Sequence, residues 1–503
     1  MSKDAPSYIE PLRQLVFWLK RRDWLFWADF IPIVILKLAI FHFAASQFLV
    51  YGYHPFFGMD LEVVEAYSDF NFYYMNFVRA FVQGNLPYTE ALYMIEGSQT
   101  YIYPPLFVYI LGAFYYIPSE VLFPDIQITA VLLSRALDFL RVGFAFIVFD
   151  LATCALMYAA ARQLTENRLI SVVAMVAFAL NPISLWWGNY LWLSTPIHTF
   201  FLVLGFYFII RGNPRWAILW VTVATMVKQT AGLLIPLIWF LEYRRGLKQL
   251  FISVGITACI GIVFSMPYLI LYPATYIESI TRGMGPYGFY DVLPHATHPL
   301  PVSILAFYWP EPFKFLVFTL VYHAIPWIIG LLFFWVVSYL IPEHPTSRYR
   351  EQLLLIGLLL SLTAHIFMPR GIYKFYLIAL IPFLILFGAI IHGPLLPVQG
   401  LSCPVQPRGV KIMAYLPSWL VNIIYRVQVL SMSILNDITT WWFVLVGLAS
   451  IAIFSVHRYF THVILLVLLL LLLAYGSYHY AWKWRVKKKQ ARADEVKARA
   501  DAT

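Results

Sequence analysis

An acid-rich stretch and a few isolated cations are the parts of this sequence with chemistry to offer. Between residues 52 and 137 stand Asp60, Glu62, Glu65, Asp69, Glu90, Glu96, Glu120 and Asp125, against only Arg79 and Arg135. A carboxylate in such a stretch, partly shielded by aromatic neighbours, can take a proton from a hydroxyl group. Asp60-Leu61-Glu62 is an acid pair at DxD-like spacing that could hold a divalent ion, although a metal site needs further ligands. Positive charge comes from Lys228, inside an otherwise apolar stretch, and from Arg370 and Lys374, which flank a turn. Cations so placed can stabilise a departing anion, and a guanidinium grips phosphate through two parallel bonds. Each feature also has a plain alternative: loop carboxylates merely solvate, and lysines or arginines near apolar segments snorkel to the headgroups. His295 and His298 might suggest metal, but Pro294 and Pro299 exclude the helix that would put both on one face, leaving an ordinary loop.

The elements that must position these residues follow from composition. Of 503 residues, 61% are hydrophobic and 12% charged, where soluble domains carry about 25% charged residues. So apolar a chain must turn most of its surface to lipid, where helices and closed barrels alone satisfy the backbone. The apolar runs are helical in length, without the short alternating segments of a barrel. The class expected is an all-α, polytopic integral membrane protein. Cys154, Cys259 and Cys403 give no disulfide framework, and the first two, inside apolar runs, read as packing residues. The net charge of +10 gathers at the ends of apolar segments, as the positive-inside rule expects, and implies no nucleic acid.

Charge then sets the topology. Lys20, Arg21 and Arg22 precede an apolar run too long for a signal peptide, and Arg485 and Lys487 to Lys489 follow the last one, so both termini are expected in the cytosol. Basic turns at Arg162/Arg168, Arg211/Arg215, Arg244/Arg245/Lys248, Arg348/Arg350 and Arg408 to Arg426 mark cytosolic loops. Spans fall near 29–51, 138–161, 168–188, 190–211, 249–271, 315–340, 351–368, 372–391, 438–456 and 460–482. The run from Pro214 to Tyr243 is flanked by basic residues on both sides, so it reads as a broken hairpin turning near Lys228–Gly232. That makes about twelve crossings. Tyr103 to Phe123 opens on Pro104-Pro105, and its unbroken apolar part, about 12 residues, is too short to span. It reads as a helix lying on, or dipping into, the outer leaflet. Lys37 and Asp150, partway along their spans, read as an ion pair or hydrogen-bonded core positions, and His42, His198 and His323 as core residues.

Two long segments, 52–137 and 272–314, are left on the non-cytosolic side. In the first, Asp69 to Val82 reads as an amphipathic, aromatic-rich interfacial helix, stopped by Gly84-Asn85-Leu86-Pro87. Ser68-Asp69-Phe70, then Tyr73, Gly84, Pro87-Tyr88 and Tyr103-Pro104-Pro105-Leu106, resemble the first outer loop of the GT-C glycosyltransferases. Further along, Asn181-Pro182 and Trp187-Gly188-Asn189-Tyr190 look like that family's outer turn between the third and fourth spans. Lys228-Gln229 sits where the family keeps a lysine in a broken helix. Thr281-Arg282-Gly283 to Tyr290-Asp291 resembles the start of its second large loop, and His365 through Pro369-Arg370-Gly371 and Tyr373-Lys374-Phe375-Tyr376-Leu377 to Pro382 resembles a late span carrying donor-phosphate contacts. The resemblance covers residues 25–391 and is nearest the dolichyl-phosphate-glucose and polyprenyl-phosphate-mannose dependent enzymes.

The resemblance implies an inverting hexosyltransferase that moves a monosaccharide from a polyprenyl (dolichyl) phosphate to an acceptor hydroxyl, on a lipid-linked or other membrane-borne glycan. Residues 1–391 would be the catalytic module, and residues 392–503 a cytosolic loop, two further spans and a basic tail. Asp69 would be the general base, with Asp60 its rival. Lys228, Gln229, Arg370, Lys374 and Arg282 would bind the donor phosphate, and Tyr73, Tyr103, Asn189 and His295 the substrates. No cofactor is implied, with a divalent metal left open at Asp60-Leu61-Glu62. The compartment would be the plasma membrane of a prokaryote or the endoplasmic reticulum of a eukaryote. Two other readings stay open: a twelve-span secondary transporter, and a non-catalytic scaffold of the same fold.

Overall fold

The computed structural model describes residues 24–51, 70, 74–85, 88, 101, 103–117, 131–284, 310, 357, 374–390, 438–455, 464–465, 467–468 and 470–472. These residues form helices and the turns between them, with no strand among them. In chain order the helices are α1 (Trp24–Tyr51), α2 (Met75–Val82), α3 (Pro105–Tyr115), α4 (Val131–Thr165), α5 (Arg168–Ala179), α6 (Thr195–Ile210), α7 (Pro214–Val227), α8 (Ile235–Arg245), α9 (Leu247–Leu271), α10 (Pro273–Met284), α11 (Ile381–Ile390) and α12 (Ile438–Ser455). Three shorter turns interrupt them: a π-helical turn at Ser184–Tyr190 and 3-10 turns at Gln229–Leu234 and Lys374–Ala379. Stretches within α1, α4 and α9 are long and apolar enough to cross a membrane, and α5 with the π turn makes a fourth candidate bent by 61°. The chain is thus an all-α protein of membrane-spanning character.

The expected hairpin between Pro214 and Tyr243 is present. Pro236 cannot donate to the carbonyl of Gly232 and would clash with it in a continuous helix, and Lys228 adopts an extended backbone (φ −152°, ψ 127°) that ends α7. The chain then turns through Gln229–Leu234 and returns as α8. The two ends meet again: Arg215 Nε, at the start of α7, lies 3.9 Å from Glu242 Oε2 near the end of α8. Arg245 Nη1 grips the same carboxylate at 3.0 Å, and Arg215 also bonds Gln249 at the start of α9. At 1.5 Å per residue, α7 is about 21 Å long and α8 about 17 Å. Neither matches the roughly 30 Å of a bilayer core, so the pair dips into the bundle and comes back.

Other boundaries shift for identifiable reasons. α1 and α4 run past the expected 29–51 and 138–161, because helices continue beyond their apolar windows where nothing breaks them. The expected third span, 168–188, stops at Ala179, and Asn181-Pro182 leads into the buried π turn rather than an outer loop. The expected 372–391 divides into a 3-10 turn and α11 around Leu380, one residue before Ile381-Pro382. The aromatic helix ends where Gly84 takes φ +90°, and its described side chains pack into the bundle. Phe70, Tyr74, Met75, Phe77 and Val78 are buried, and α2 packs on α3. α3 itself, about 16 Å long, buries Phe107, Val108 and Leu111 against the bundle. Two expected core positions lie outside the core: His42 and Cys259 are exposed, on outward faces of α1 and α9, whereas Cys154 is buried.

Candidate functional site

Among the fully buried polar side chains described is an ion pair. Lys37 Nζ of α1 lies 2.7 Å from Asp150 Oδ2 of α4, both side chains fully buried. Asp150 Oδ1 accepts from Ser184 Oγ at 2.7 Å and Oδ2 from Asn189 Nδ2 at 3.2 Å, and Asn189 Nδ2 also donates to the Ser184 carbonyl at 2.9 Å. One carboxylate therefore ties two helices to the π turn. A π turn leaves carbonyls and side chains off the helical register and marks functional positions more often than chance. Here the turn brings Gly188 against its neighbours. A Cβ at that position would stand 3.0 Å from Pro196 Cγ, 3.5 Å from Ile378 Cδ1 and 4.0 Å from Asp150 Oδ1. The ion-pair network is thus the floor on which the start of α6 and the 374–379 turn meet.

Above that floor, segments far apart in sequence converge. Lys228 Nζ lies 3.3 Å from the centroid of the Tyr376 ring, and the lysine is only 6% exposed. A desolvated ammonium on an aromatic face gains about 2 kcal/mol. Two residues on, Thr230 Oγ1 lies 3.3 Å from His198 Nε2, on the second turn of α6. The fold lets these pieces close up because glycines stand at the crossings. A Cβ on Gly205 would meet Val221 Cγ2 at 2.6 Å, so α6 and α7 touch backbone to side chain. A Cβ on Gly232 would sit 3.3 Å from Thr225 Cγ2, so the 3-10 turn lies against α7.

At the far end of the bundle is a cluster of tyrosines. From Gln249 to Tyr268, α9 advances about 28 Å, away from the basic turn and toward the segment carrying Tyr88 and Tyr103. The Tyr88 ring meets those of Tyr268 at 4.7 Å and Tyr276 at 4.8 Å, edge to face in both cases. Its hydroxyl donates to the Tyr103 carbonyl at 2.6 Å. Tyr103 Oη in turn lies 3.3 Å from Tyr74 Oη and 3.4 Å from Ser194 Oγ, the residue that precedes α6. Trp192, with φ +55°, is wedged over Gly143, where a Cβ would come within 2.7 Å of its ring. At the edge of this region Tyr115 donates to Asp138 Oδ2 at 3.1 Å, and burial first, then the Asp138 carboxylate, push its phenol above the ordinary range.

Of the residues singled out in the sequence, Lys228 and the stretch containing Lys374 are brought together. The backbone of Lys374 opens the turn that carries Tyr376, and Gln229 follows Lys228 into its own turn. Tyr103 is buried within the tyrosine cluster. Asn189 is fully buried, its amide nitrogen spent on Asp150 and Ser184 and its Oδ1 without a hydrogen-bond partner among the described residues. Lys37 and Asp150 form an ion pair, one of the two arrangements expected of them. Asp60, Asp69, Tyr73, His295, His323 and Arg370 lie outside the described residues, as do Glu62 and the side chains of Arg282 and Lys374. The sequence did not mark Tyr376 as a contact of Lys228, nor Thr230 and His198 as partners. Tyr376 stood within a quoted motif, His198 read as core, and Thr230 carried no signal.

No known protein family matches the chain, and no curated protein resembles it closely enough to count as a relative.

Proposed function

We propose that this chain is a membrane glycosyltransferase that moves a monosaccharide from a polyprenyl-phosphate carrier to an acceptor hydroxyl, with Asp69 as general base. The observation that supports this most is the seating of Lys228. Its ammonium is held inside an apolar bundle, on Tyr376, beside the segment that opens with Lys374. Burying a cation among apolar helices is costly, so such a cation is a functional position by default. Glycosyl transfer from a lipid phosphate needs this arrangement. The bond from the anomeric carbon to the phosphate oxygen breaks as the acceptor oxygen attacks from the opposite face. The leaving phosphate gains charge that a fixed cation stabilises. The acceptor proton passes to a carboxylate, and sugar configuration inverts.

In this reading Lys228, Gln229, Arg370, Lys374 and Arg282 serve the phosphate, and Tyr73, Tyr103, Asn189 and His295 the sugar or acceptor. Asp60 is the alternative base. The acceptor is membrane-borne, and the chain makes about ten full crossings with the 214–243 hairpin as a re-entrant pair, both termini lying in the cytosol. The test is turnover by the purified chain in nanodiscs supplied with synthetic polyprenyl-phosphate sugars and a membrane extract as acceptor. Release of polyprenyl phosphate that Asp69→Asn and Lys228→Ala each reduce at least a hundredfold would support the reading. Unchanged turnover in Asp69→Asn would remove that residue from the base role.

Discontinuous helices also favour a second reading, a secondary transporter, since such proteins build their midplane sites from broken helices. The α7–α8 hairpin and the bent pair of α5 and the π turn are of that kind. Solute uptake by sealed vesicles under an ion gradient, with no sugar transfer, would favour it.

A further inference from the structure

Three candidates beyond the lysine itself stand out: the tyrosine cluster, the exposed face of α9 and the start of α6. The tyrosines are closed on one another, and nothing in the structure says what covers α9. The start of α6 carries more. Among the described residues, Thr153, Thr165, Thr222, Thr225 and Thr257 lie within helices and donate their hydroxyls to the carbonyl four residues back. Thr199, also within a helix and fully buried, does not. Its Oγ1, like that of the buried Thr195, has no hydrogen-bond partner among the described residues. A buried hydroxyl left unbonded is costly, so its orientation calls for an acceptor.

The direction of these hydroxyls follows from the helix. Residues seven apart share a face, as do residues three and four apart. Thr199 lies seven before Phe206, whose ring packs on Phe383 of α11 at 4.9 Å. His198 lies seven before Gly205, which faces Val221 of α7, and His198 itself reaches Thr230. Thr195 stands on the same strip as both. The two hydroxyls therefore face the seam between the 374–390 segment and the 214–234 segment, the seam in which Lys228 meets Tyr376. The strip is also the start of a 16-residue helix whose preceding residue, Ser194, makes no side-chain cap, and such an end favours anions.

We propose that Thr195 and Thr199 are the neutral half of a phosphate seat whose charged half is Lys228. Their hydroxyls and the first-turn amides of α6, Pro196 apart, donate to the oxygens of a phosphate monoester or diester. This rests on the lysine's assignment to phosphate in the proposed reaction, and it adds the residues that set how the phosphate is turned.

The experiment measures binding of polyprenyl phosphate, and separately of inorganic phosphate, by the full chain in nanodiscs. Thr199→Val and Thr195→Val are each expected to weaken polyprenyl phosphate about tenfold or more, the loss of a hydrogen bond to a charged group. Because each removes an unbonded hydroxyl, the empty protein should keep its melting temperature or gain in it, which a merely structural threonine would not allow. Thr199→Ser should bind as the parent does, and Thr199→Ala stands in if the valine variant does not fold. Loss of binding in Lys228→Ala with full binding in both threonine variants would overturn the seat and leave the lysine's role standing. Equal affinity for inorganic phosphate would keep the seat but detach it from a lipid donor. No binding of either compound by the parent chain would overturn both.

Discussion

Replacing Asp150 by asparagine tests how the bundle floor is held. The substitution keeps the side chain's shape and leaves Oδ1 able to accept from Ser184. It strands the fully buried ammonium of Lys37, now 2.7 Å from a neutral group. At an effective dielectric of about 20, two unit charges at that separation attract by roughly 6 kcal/mol. Much of that gain is offset by the cost of taking both from water. Breaking a buried pair from one side typically costs about 3–5 kcal/mol, and we expect Asp150→Asn to fall in this range. Lys37→Met should cost less, because the carboxylate keeps its bonds from Ser184 and Asn189 and can take up a proton. The double variant should recover part of the loss. Unfolding of the four proteins in detergent, followed against denaturant, gives the coupling energy directly. A loss below about 1 kcal/mol in Asp150→Asn, with the two changes strictly additive, would refute the ion pair as a structural tie.

Further expectations concern the hairpin, the C-terminal helix and the crossing of α6 and α7. Glu242→Gln removes the charge that holds Arg215 and Arg245 together, and should cost about 1–3 kcal/mol, read by the same denaturation assay. Gly388→Ala would place a Cβ 2.0 Å from Trp442 Cδ1 and strain the bond from Trp442 Nε1 to the Leu384 carbonyl. It should lower stability by about 1–3 kcal/mol, the usual cost of overpacking, with Trp442→Phe in the same background relieving part of it. Gly205→Ala would push α6 from α7, since its Cβ meets Val221 Cγ2 at 2.6 Å. On the proposed reading, in which both helices hold the site, sugar transfer should fall at least tenfold, and a variant of full activity would show that the crossing tolerates displacement.

The sequence was most legible where charge and length constrain together. Basic residues on both flanks of 214–243 required a hairpin, and the meeting of Arg215 with Glu242 shows one. Lys37 and Asp150 were readable as an ion pair or hydrogen-bonded core positions, because a charge in an apolar span is costly unless paired or put to use. Less could be read where packing overrides local pattern. The aromatic stretch before Gly84 has the composition of an interfacial helix, and composition does not show that Phe70 and Tyr74 turn inward to meet Trp192 and Phe107. Trp187-Gly188-Asn189-Tyr190 looks like a loop, because a turn this short leaves no periodicity to read, and the Asp150 bonds to Ser184 and Asn189 come from a distant segment. Thr199 was invisible for the same reason: a threonine in an apolar helix ordinarily bonds its own backbone, and only a structure shows that this one does not.

The hairpin has a consequence for how the protein is made. Neither α7 nor α8 is long enough to be threaded through a bilayer alone, so the two must enter together, leaning on α6. At that moment the segment bearing Tyr376 has yet to be synthesised, and it follows Lys228 by 148 residues. In a chain inserted as it is made, the lysine would enter the bundle before its aromatic cover exists. Maturation of the site is a late event in biogenesis, completed only when the 374–390 segment docks. Chains that stall before that point would hold an exposed intramembrane charge, the kind of mark by which membrane quality control distinguishes unfinished proteins.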